Sequence, residues 1–307
     1  MRKKKKKDGG FPAFVVKFST DRSCLEHLIE LKWKNGFTCR KCSHGRSVKG
    51  RKWYYRKCQK CKYDESATAN TLFHKVKFPL SKAFGIVYQL STMKKGMSSC
   101  ELAFQWGVHQ ETAWYFKRKV QHAMCLADRP LLEFNVEVDE TVIGGREVGM
   151  QGRSHGKKKK VLVGIEVEYP EGDGPAKIKR ASAVLIDGYS TKSLSKGINE
   201  IVDPGALLTT DGWKPYEKAT GGRMHMVFPS DQGKNFQMLH WHIFNLKNWI
   251  RGTHHWVSSQ HMQTYLDEYH YKFNRRNTRL YNVKEVLQNM VKSDWIPRIT
   301  LAGELKR

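Results

Sequence analysis

The chain has 307 residues, and 55 Lys plus Arg against 29 Asp plus Glu give it a formal net charge of +26. Apolar residues at 39% supply a real core, which excludes wholesale disorder, and no run approaches the roughly 18–20 apolar residues of a membrane span. The basic start, Met1 to Lys7, has no apolar signal core behind it, which predicts a cytoplasmic protein. The charge excess predicts a polyanionic partner, nucleic acid before a membrane surface.

Residues 1–20 read as a basic tail and 21–70 as a first small domain. Within it stand two pairs, Cys39-x-x-Cys42 and Cys58-x-x-Cys61. Each pair can form a tight turn aiming two thiolates at one ion, and four thiolates make the closed tetrahedral set of structural zinc. Between them Trp53, Tyr54 and Tyr55 favour strand, so the segment predicts a zinc ribbon with one structural Zn²⁺. The remaining cysteines, Cys24, Cys100 and Cys125, are scattered, as in a reduced protein without a disulfide framework.

Residues 78–128 read as helical. Ala83, Ile86, Val87, Leu90 and Met93 recur near the helical period. A short helix over 97–106 ends at Gly107, and a second begins near Val108. Two short helices joined by a Gly turn predict a helix-turn-helix, with His109, Gln110, Thr112, Lys117 and Arg118 as the side chains offered to DNA.

Over 130–280 the periodicity changes. Strands are expected at 134–141, 160–167, 181–186, 207–212 and 225–228, with helices at 190–201 and 235–250. Three strands, a helix, a fourth strand, then more strand and helix is the ribonuclease-H-like order. Asp139 and Asp211 close the first and fourth strands, where that fold brings acids together. Two adjacent carboxylates repel unless a divalent cation lies between them, and Mg²⁺ prefers such oxygen ligands. Glu140 should point to the opposite face. Lys157, Lys158 and Lys159, after Gly152 and Gly156, predict a basic hairpin along DNA phosphates. Trp249, Trp256, Tyr265, Tyr269 and Phe273 are expected in the core, and 281–307 is left as a tail.

The pieces Val138-Asp139-Glu140-Thr141-Val142-Ile143-Gly144-Gly145, Thr210-Asp211-Gly212-Trp213-Lys214-Pro215-Tyr216 and Asn245-Leu246-Lys247-Asn248-Trp249-Ile250-Arg251-Gly252-Thr253 resemble the ISXO-type transposases of prokaryotic insertion sequences, within the DDE superfamily. The resemblance implies a multidomain α+β chain: a zinc ribbon, a helix-turn-helix-like region and a ribonuclease-H-like catalytic domain. It implies strand cleavage at element ends and strand transfer with two Mg²⁺ ions, Mn²⁺ being an alternative. The implied partners are double-stranded DNA, as terminal inverted repeats and target, and further copies of the chain; the implied location is the nucleoid. A catalytically decayed zinc-ribbon DNA-binding protein is the rival reading.

The third acid of the family pattern is missing. Seven residues before Lys247 stands His240 rather than Glu. Seven residues return to within about 20° of the same helix face, so His240 and Lys247 share one, whereas Asn245 lies about 160° from Lys247. The resemblance implies catalytic roles for Asp139, Asp211 and Lys247, with His240 preferred to Asn245 at the third position.

Overall fold

The computed structural model describes residues 10–126, 129–145, 156–170, 172, 174–229, 231–254 and 256–302. These form two compact units, one from 1–93, 97–127 and 278–307, the other from 94–96 and 128–277.

The first unit opens with α1 (Phe11–Lys17) and α2 (Asp21–Lys32). Thr20 caps α2 by accepting from the Ser23 amide at 3.2 Å. Three short strands follow, β1 (Ser47–Lys49), β2 (Tyr55–Cys58) and β3 (Asp64–Ser66), in one antiparallel sheet. A buried ion pair fastens this sheet to α2: Lys32 Nζ lies 2.8 Å from Glu65 and also donates to the Ser66 and Ala69 carbonyls.

The core of this unit is α3 (Leu80–Thr92), which buries Phe84, Ile86, Val87 and Leu90. Gly85 is required there, because a Cβ would stand 1.9 Å from the Trp106 ring. Trp106 closes α4 (Ser99–Trp106), whose first turn is capped by Ser98 accepting from the Glu101 amide. Gly107, at φ 56°, takes the left-handed turn that few other residues adopt cheaply, and α5 (Gln110–Cys125) follows.

The second unit is built on a five-stranded sheet of β4 (Asn135–Ile143), β5 (Lys159–Glu168), β6 (Lys177–Ile186), β7 (Leu207–Thr210) and β8 (His225–Val227). Its order is β6-β5-β4-β7-β8, with β4, β5 and β6 antiparallel and β7 and β8 parallel to β4. The helix α6 (Thr191–Ile201) and the short α7 (Pro215–Ala219) cover one face, over Val136, Val138, Leu162 and Leu208. On the other face α8 (Gln237–Thr253) and α9 (Ser259–Asn274) pack on Val161, Val163, Ile165 and Ala183. Even-numbered residues of β4 thus point to α6 and odd-numbered ones to α8, the period-two rule of a strand buried on both sides.

Two sequence expectations are corrected. The segment 281–307 is more than a tail: α10 (Arg279–Lys292) buries Val286, Leu287 and Met290 and packs on α3 and α5. Met290 accepts from the Leu72 amide, and Asn289 donates to the Ala123 carbonyl. The short α11 (Arg298–Ala302) lies on α5. The second correction is Trp256, 77% exposed rather than in the core, while Tyr265 is buried and Trp249, Tyr269 and Phe273 pack beside the core cluster.

Candidate metal and nucleic-acid sites

The thiol site arises from one local motif used twice. In the first knuckle the Ser43 amide donates to the Cys39 carbonyl, and the Cys39 amide donates to that of His44. In the second the Lys62 amide donates to Cys58 and the Cys58 amide to Tyr63. Ser43 and Lys62 both take positive φ, 55° and 60°, which closes each turn. Cys39, Cys42, Cys58 and Cys61 bring their sulfurs within 4.8 Å of one another. Cys39 and Cys58 are buried. Four clustered soft donors leave no position for water, so the cluster supports one structural zinc ion.

The second site is assembled across the sheet. Asn135 pairs with Leu207, and Glu137 with Thr209, in the parallel β4–β7 ladder. The ladder ends there; Asp139 follows Glu137 by two residues in β4, Asp211 stands just past the end of β7, and both carboxylates act on the Tyr216 hydroxyl. From α8 His240 comes down, its Nε2 3.4 Å from Asp139 Oδ2. Asn245 is exposed on another side of α8. Lys247 is half-buried on the His240 side. Burial holds its ammonium below the ordinary value, Arg251 and Lys158 add to this, and Asp139 opposes it. The side chains of Asp139 and Lys158 therefore lie within electrostatic reach of Lys247.

Glu140 points through the sheet, where it accepts from the Tyr216 hydroxyl at 2.6 Å. Tyr216 is buried, and burial first, then Glu140, Asp139 and Asp211, push its hydroxyl well above the ordinary value. One phenol thus senses all three carboxylates. Sequence reasoning overlooked Glu137, one same-face step before Asp139. Burial pushes its carboxyl up to about 7, with His240 opposing. The signal was available, since strand alternation that turns Glu140 away turns Glu137 toward α8.

The residues expected to face DNA divide. His109 and Gln110 are exposed at the start of α5 and Thr112 is half-buried. Lys117 and Arg118 are not offered to a groove: they are only 4% and 9% exposed. Lys117 Nζ donates to the Met97 carbonyl at 2.6 Å, and Arg118 donates to Gln121. Helix-internal cations were read as surface, but this face of α5 is turned inward beside Phe116 and Val120. On the exposed side, Arg298 of α11 pairs with Glu111 at 2.5 Å and lies 4.0 Å over the Tyr115 ring. Lys157 is exposed and Lys158 and Lys159 half-buried at the start of β5; Gly152 lies outside the described residues. Among the described residues no helix is long and apolar enough to cross a membrane.

No curated protein matches the chain closely enough to count as a relative. Residues 19–64, which hold both knuckles, match the transposase zinc-ribbon domain. Residues 130–274, which hold the five-stranded sheet, α8 and α9, match the ISXO2-like transposase domain. The ribbon and the acid-bearing sheet thus each match a transposase domain, as the ISXO-type resemblance implies.

Proposed function

We propose that the chain is an active DNA transposase that binds element ends and catalyses metal-dependent strand cleavage and strand transfer. The observation that supports this reading is His240 Nε2 3.4 Å from Asp139 Oδ2, with Asp139 and Asp211 both acting on Tyr216. Two hard carboxylates on one sheet face, in a chain of net charge +26, suit divalent ions and a phosphodiester. Asp139 and Asp211 would hold Mg²⁺, which supplies an activated oxygen nucleophile and charge stabilisation at the leaving oxygen. His240 takes the third position in preference to Asn245 and orients the Asp139 carboxylate through its Nε2. Lys247 neutralises a phosphate oxygen beside Asp139.

DNA is held by His109, Gln110 and Thr112 at the start of α5 and by Lys157, Lys158 and Lys159 along the phosphates. Phosphate contacts of this kind fix register and make affinity depend on salt. Copies of the chain assemble on paired ends.

Replacing Asp139 or Asp211 by Ala should lower end cleavage about 10³-fold or more, the scale of several lost kcal/mol of charge stabilisation, while gel-shift binding of the end is retained. Full cleavage by either variant refutes the assignment. A wild-type chain that binds the end but neither cleaves nor transfers strands with Mg²⁺ or Mn²⁺ favours the decayed DNA-binding protein.

A further inference from the structure

A cleft of about 400 Å³ opens by the first residues of β4 and β7, one pleat before the acids along the chain. Glu137 of β4 and Thr209 of β7 line it, and these are register partners. Each is the same-face neighbour of a catalytic acid, so the cleft continues the acid face by one pleat, about 7 Å. Tyr169, Met226, Phe228 and Phe236 form its walls. Phe236 is buried, whereas Tyr169 and Phe228 leave 62% and 45% of their surface exposed.

Two features call for an occupant. The aromatic walls stand beside a site that handles DNA, and aromatic faces stack on unpaired bases. Glu137 Oε2 is buried without a hydrogen-bond partner among the described residues. A buried oxygen left so is costly until a donor reaches it. A stacked duplex keeps its bases paired, but an unstacked base brings an exocyclic N–H₂ that a carboxylate accepts from.

We propose that this cleft receives one unstacked nucleobase bearing an exocyclic amine, from the nucleotide next to the phosphate held at Asp139 and Asp211. Tyr169 and Phe228 flank the base, and Glu137 accepts from its amine. Thymine, which has no such amine, is disfavoured there. The inference rests on the transposase reading, since it needs an end bound at the acids.

The test uses the full chain with zinc and an element-end duplex carrying 2-aminopurine at each position around the cleavage site in turn. One position should brighten several-fold on binding, and Phe228→Ala or Tyr169→Ala should abolish the rise while the gel shift remains. As either change can disturb the sheet edge, a second measurement leaves the protein intact. A mismatch opposite the same nucleotide should tighten binding about tenfold, because the unpairing cost is already met. A bound end whose probe stays dark at every position, or a mismatch without effect, overturns the inference alone. An end that does not bind at all overturns the transposase reading with it.

Discussion

The ribbon and the proposed acid site gather their side chains at opposite ranges of sequence. The four cysteines lie within residues 39–61, and each pair is shaped by its own turn. Asp139 and His240 are about a hundred residues apart and meet only because a helix packs over the strand, and Asp211 follows the parallel neighbour strand. The first site is closed and soft, fit for structure. The second, as proposed, is hard and would have to admit a phosphate. Local turns suffice for a permanent ligand, whereas an exchangeable one needs a scaffold that leaves room.

That contrast can be broken at several points. The largest effect is expected from Cys58→Ser or from chelation. Apparent zinc-binding energies in small ribbons are about 10–16 kcal/mol, so the ribbon should unfold, seen as loss of one bound zinc and collapse of its NMR dispersion. A ribbon that stays folded without metal would erase the contrast.

Next is Glu65→Ala, which strands Lys32 in a buried site. Breaking such a pair costs about 3–5 kcal/mol, measurable by urea melts, and Lys32→Met with Glu65→Leu should recover much of it.

Acid should act on the other unit. His242 and His270 share a buried Nε2–Nε2 contact of 3.1 Å. Burial holds His270 down at about 4 and His242 well below its ordinary value; Arg276 adds to this at His242, and Asp267 opposes it at His270. A depressed imidazole stabilises the fold fully above the unfolded value near 6.5. That stability is lost as pH falls from there to about 4, by roughly 3 kcal/mol. Melting temperature across this window checks the sign.

The finest test separates two neighbours on α8. His240→Ala should slow cleavage about 10²-fold, near 2.7 kcal/mol, and Asn245→Ala by less than about threefold. The reverse order would move the third position to Asn245.

Legibility in the sequence follows the same division. The knuckles were readable because C-x-x-C spacing fixes a turn without help from the rest of the chain. Asp139 and Asp211 are proposed from strand order and His240 from helix period, and His240 does reach Asp139. Lys117 and Arg118 were misread because polarity alone does not say which side of α5 faces inward. The Met97 carbonyl that anchors Lys117 lies outside that helix. The closing helix α10 was passed over although Val283, Val286, Leu287 and Met290 carry its period, because the segment holds no chemical motif. Glu137 is legible only when the alternation is followed back from Asp139 as well as forward from it.

The ladder between β4 and β7 also decides where the gene can change length. Deleting a single codon between Asn135 and Asp139 would rotate the carboxylate through the sheet to the α6 face, among Val136 and Leu208. Natural variants of this chain should therefore differ in the length of this strand hardly at all.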